Sequence, residues 1–107
     1  MAKIVTRTVK WDAVPPEVQV TGYRVYVAKA GVPHSYDLPH ADVAANLTQL
    51  VLPCEQLPQS LFVPDGDYSV WITTLEQGGN ESDPLALSGR FDFTPPPAPT
   101  NGRIEIS

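Results

Sequence analysis

Phe62-Val-Pro-Asp-Gly-Asp-Tyr68-Ser-Val-Trp-Ile-Thr73 reads as a turn followed by a strand, and this stretch decides the fold class. Pro64, Asp65, Gly66 and Asp67 are turn formers: proline presets φ, glycine lifts the steric limit on φ, and aspartate bonds nearby backbone. From Tyr68 onward the pattern alternates. Tyr68, Val70, Ile72 and Thr74 fall on one face and Ser69, Trp71 and Thr73 on the other, the period of a β-strand. Upstream, residues 4–11 alternate in the same way, with Val5, Val9 and Trp11 sharing a face. Residues 20–28 place Tyr23, Val25 and Val27 inward and Arg24 and Tyr26 outward.

The connecting segments carry breakers. The run Asp12-Ala-Val-Pro-Pro-Glu17 stops the first strand, and Gly31 and Pro33 end the second. Residues 33–47 admit a loop, an edge strand or one helical turn. A short strand is expected at 48–52, followed by a connection punctuated by Pro53 and Pro58. The Gln77-Gly-Gly-Asn80 turn leads to a last strand at 85–93, with Leu87, Phe91 and Phe93 on one face. Beyond it, Thr94-Pro-Pro-Pro-Ala-Pro99 is a stiff extended tract, and Arg103-Ile-Glu-Ile-Ser107 ends the chain as a miniature strand. Residues 1–94 therefore form one domain and 95–107 a proline-rich tail with its short strand.

Composition narrows the function. A chain of 107 residues suits one core, and twelve prolines, about twice the usual share, favour short strands over helices. Seven Lys and Arg against twelve Asp and Glu give a net charge of -5 with no basic cluster, which argues against nucleic acid and anionic membrane as partners. Cys54 is the one cysteine, so no internal disulfide is available and packing must hold the fold. No signal-peptide pattern follows Met1, and no stretch has the length and apolarity of a membrane span. If Met1 is the native start, synthesis and retention in the cytoplasm, or assembly from there, are expected.

The order of these signals resembles a fibronectin type III domain, an immunoglobulin-like β-sandwich of about seven strands, three packed on four. The residues that carry the resemblance are Val9-Lys-Trp11 on the second strand of that family, Gly22-Tyr-Arg-Val25 opening its third, and Phe62-Val-Pro-Asp-Gly-Asp-Tyr68 at its tyrosine corner. Gly79-Asn-Glu-Ser82-Asp-Pro84 matches its approach to the last strand. The resemblance implies that Trp11 fills the space between sheets and that the Tyr68 hydroxyl bonds back to corner backbone. Trp11, Tyr23, Val25, Phe62, Tyr68, Val70 and Ile72 are the expected core.

The ends depart from the family pattern. Only ten residues precede Trp11, too few for the family's leading strand and a turn. Pro97-Ala-Pro-Thr-Asn-Gly-Arg-Ile-Glu-Ile106 resembles such a lead and first strand, placed at the other end. Either the chain was cut inside a following domain, or Arg103, Ile104, Glu105 and Ile106 pair with a sheet edge of the chain itself or of a neighbour.

No residue pattern supports catalysis. Cys54 and the distant His34 and His40 form no nucleophile–base motif, and no phosphate-binding loop is present. His34, Asp37, His40 and Asp42 fit no zinc spacing and read as surface residues. Asp65, Asp67, Glu81 and Asp83 read as turn-forming acids in preference to a calcium site. No metal or other cofactor is expected. Asn46-Leu-Thr48 and Asn80-Glu-Ser82 match glycosylation triplets by chance. Trp71 points outward beside Tyr26. The pair is either an exposed interface anchor, with carbohydrate a lesser alternative to protein, or a Trp covered by long neighbouring side chains. The expected function is a non-enzymatic protein–protein interaction module, a structural or decorating subunit of an assembly such as a phage virion. Its partners would be copies of itself or a capsid or tail protein. The rival expectation is an accessory or carbohydrate-binding domain of a larger secreted bacterial protein, located outside the cell.

Overall fold

The computed structural model describes residues 6–14, 19–62, 65–92, 97–100 and 102–105. Among them run β1 (Arg7–Lys10), β2 (Val20–Lys29), β3 (His40–Ala44), β4 (Gln49–Leu52), a 3-10 turn (Gln59–Phe62), β5 (Gly66–Glu76) and β6 (Leu85–Phe91). β1 pairs with β4 in a two-stranded sheet, and the other sheet has the order β3-β2-β5-β6, with every pairing antiparallel. The chain is all-β, with an architecture compatible with an immunoglobulin-like sandwich. No helix among the described residues is long and apolar enough to cross a membrane.

β2 and β5 form the centre of the larger sheet because they are long and rich in β-branched and aromatic residues, which pack well on a pleated surface. Their register sets Val25 opposite Ile72 and Val27 opposite Val70. Those side chains, with Tyr23, Tyr68, Phe91, Val9, Trp11, Leu52, Leu57 and Phe62, form one buried cluster that both sheets share. Each such aliphatic or aromatic side chain contributes about 1.5–3 kcal/mol by leaving water. Trp11 meets Tyr23 edge-on at 5.4 Å, and Tyr68 stacks on Phe91 at 4.8 Å.

Two local details fix the frame. The Tyr68 hydroxyl donates to the Leu61 carbonyl at 2.8 Å, which ties the start of β5 to the preceding 3-10 turn. At the β-bulge between Val20 and Gly22, a Cβ on Gly22 would lie 2.9 Å from the Val43 carbonyl oxygen, so this close approach of β2 to β3 requires glycine.

The strand count is met in part, the C-terminal strand needs correction, and the stretch left open is decided. Six strands are present among the described residues, two of them in the smaller sheet, where the family pattern has about seven and three. Residues 102–105 carry no strand, and Ile104 is fully exposed; a short extended segment needs a ladder partner, and none of the six strands pairs with it. The ambiguous stretch 33–47 resolves into a loop followed by β3. Ile4, Val5, Phe93 and Ile106 lie outside the described residues, so the strand positions anticipated for them do too.

Candidate functional site

The outer face of the larger sheet carries a second aromatic layer. Tyr26 and Trp71 are register partners on β2 and β5, so alternation brings them together. They are not exposed: Tyr26 is 0% and Trp71 7% accessible. The turn at Gly31, which adopts a φ of 92° that favours glycine, sends residues 32–39 back across this face. His34 sits 4.9 Å edge-on to Tyr26 and 5.4 Å from Trp71, Tyr36 packs against both His34 and Tyr26, and Leu38 packs on the cluster. Of the two alternatives open from sequence, an exposed anchor and a covered Trp, the covered one holds, with the 32–39 loop as the cover in place of long neighbouring side chains; large apolar rings are more stable out of water than on a wet sheet face.

Glu81 closes one end of this layer. It follows the 77–80 turn, where Gly78 and Gly79 both take positive φ, and it bridges to Leu75 of β5. Its carboxylate accepts from the Tyr26 hydroxyl, from Thr73 Oγ1 at 2.6 Å and from Arg24 at 3.3 Å. Arg24 also pairs with Asp42 at 2.8 Å. Burial, and then the bond to Glu81, push the Tyr26 hydroxyl up to about 12. The hydrogen bond to Asp42 raises Arg24 above its ordinary value. With its oxygens used by internal donors, Glu81 is a structural acceptor. Among the described residues no group of three His, Cys, Asp or Glu is arranged to hold a metal.

A different feature lies on the side of the molecule where the smaller sheet stops short. Leu85, Leu87 and Gly89 of β6 pair with Ile72, Val70 and Tyr68, so they belong to the inward face of their sheet. Yet Leu85 is 52% and Leu87 37% exposed, and a Cβ on Gly89 would meet nothing within 4 Å. The face is bare because four strands lie against two. A groove of about 230 Å³ runs there between β1 and β6, with Val70 in its lining. Arg7, Lys10 and Arg90 also line it, three of the chain's seven cations in an otherwise acidic protein. Among the described residues neither β1 nor β6 has a strand partner on its outer edge.

At the opposite side of the larger sheet the β3 edge is occupied. The Gln56 carboxamide accepts from the Asp42 backbone N–H at 2.8 Å and donates to the Asp42 carbonyl at 3.0 Å, standing in for one residue of a neighbouring strand.

Of the residues singled out in the sequence, Trp11, Tyr23, Val25, Phe62, Tyr68, Val70 and Ile72 lie buried in the shared core. Arg103, Ile104 and Glu105 lie exposed, with Arg103 paired to Glu105. His34 and Glu81 were weighed as metal ligands and set aside as a surface residue and a turn acid, and Gln56 and the bare Leu85 and Leu87 were not identified as a site. One signal was present for the covered face: bulky outward residues on two neighbouring runs, Tyr26 and Trp71, imply a cover. Comparison with protein-family models, curated proteins and solved structures finds no match for this chain.

Proposed function

We propose that the chain is a fibronectin type III-like, non-catalytic protein–protein interaction module, serving as a small structural or decorating subunit of a larger assembly such as a phage virion. The observation that carries this reading is the bare inward face of β6, where Leu85 and Leu87 stand in water beside two strand edges that have no partner among the described residues. Apolar surface next to open backbone donors and acceptors is the kind of surface that proteins cover with another chain. The family reading draws support from the Tyr68–Leu61 corner bond and from a strand order that equals the three-on-four sandwich without its leading strand. The virion assignment rests on analogy with domains of this kind that decorate or cement phage heads and tails.

The sugar-platform alternative loses its support, since Trp71 and Tyr26 lie beneath the 32–39 loop. A decisive experiment is immunogold electron microscopy, with antibody against the purified chain applied to particles made from the genome that encodes it. Regularly spaced label on the particles is the expected result. Confinement of the chain to the particle-free fraction would refute the assignment.

A further inference from the structure

We propose that the β1–β6 groove receives the tail of a second copy of this chain, with Arg103, Ile104, Glu105 and Ile106 adding as a strand beside β1. The inference rests on the interaction-module reading and names its site and partner.

The groove has the shape of a vacant strand position. β1 is four residues long and bonded on one side to β4, and its other edge faces the bare side chains of β6. A strand placed there would pair with β1 backbone and lay alternate side chains over Leu87 and the open space above Gly89. The tail fits each requirement. Residues 103–106 are also four in number, alternate apolar with charged, and contain the β-branched Ile104 and Ile106 that suit a half-buried strand. Ile104 is fully exposed in its own chain, an isoleucine with no cover.

A second copy is favoured over the chain's own tail because residues 102–105 pair with none of the six strands of their own chain and Ile104 is fully exposed there, so the described part of the tail does not occupy its own groove. The β3 edge, by contrast, is blocked by Gln56, so the open side is directed to the groove.

The test uses the full chain and a variant lacking residues 98–107, which lie outside the six strands. Light scattering over roughly a hundredfold concentration range should show mass rising for the full chain and a constant monomer for the variant. A synthetic peptide of residues 97–107 should bind the truncated chain. Affinity should fall about tenfold or more when the peptide carries Ile104→Asp, or when the truncated chain carries Leu87→Glu, a change at an exposed position checked for folding by circular dichroism. A full chain that stays monomeric with no peptide binding overturns the proposal. So does a monomer that loses thermal stability on truncation, because its own tail would then fill the groove, and so does an oligomer that survives truncation. Self-association without particle labelling would leave this inference standing and remove the virion reading; labelling without self-association would do the reverse.

Discussion

Glu81 shows what one residue contributes when a carboxylate is mostly buried among donors. Its side chain is 13% exposed and takes hydrogen bonds from Tyr26, Thr73 and Arg24, so its removal strands the buried Thr73 and Tyr26 hydroxyls. Glu81→Ala should therefore lower stability by about 1–3 kcal/mol, read as a drop in the urea midpoint, with Glu81→Gln losing less because one acceptor remains. An unchanged midpoint in Glu81→Ala would mean that the network adds nothing. The Tyr26 proton gives a second readout. Its hydroxyl ionises near 12 in the folded chain and near 10 when unfolded, so the unfolded state releases the proton first as pH rises. Stability from this group is intact below about pH 10 and is lost through about pH 12. Urea midpoints across that window should fall less steeply for Tyr26→Phe than for the parent. Some slope should persist, since burial also raises Tyr68. Equal slopes would contradict the assignment. In the sequence Glu81 looks like any turn acid, and only the fold of the 77–80 turn places it against β2 and β5.

At the scale of elements, the four outer edges of the two sheets are treated differently. β3 is guarded by the Gln56 carboxamide, which matches both backbone groups of Asp42. Gln56→Ala removes two hydrogen bonds to an exposed strand, so the stability cost should be about 1 kcal/mol or less. The larger expected consequence is faster aggregation on mild heating, followed by light scattering, because an open edge of five residues becomes a template. Aggregation at the parental rate would show that the edge needs no guard. Among the described residues β1 and β6 have no such device, and β6 exposes Leu85 and Leu87 as well. The strands themselves were legible in the sequence: alternation located β2, β5 and β6 to within a few residues. β3 was not legible, since His40–Ala44 is short, half polar and preceded by prolines, and its identity comes from pairing with β2.

The whole molecule consists of a shared core between two unequal sheets, plus an outer aromatic layer held by the 32–39 loop. The outer cluster contains Tyr26, Ala28 and Trp71 under a loop with few backbone bonds, whereas β5 is paired on both sides. Native-state hydrogen exchange should therefore find the Leu38 amide opening at lower free energy than amides of Val70 and Ile72. Exchange of all three at the global unfolding free energy would show that loop and core form one cooperative unit. By itself the sequence determined the all-β class, the inward faces of three strands and the position of the turn that precedes Tyr68. Those features depend on local period and turn chemistry, which a chain carries within a few residues. The tertiary structure decided that Trp71 is covered, that Glu81 is an internal acceptor, and that the inward face of β6 is bare. Each of these depends on which distant segment lies over a given face, and alternation assigns a face without saying what covers it.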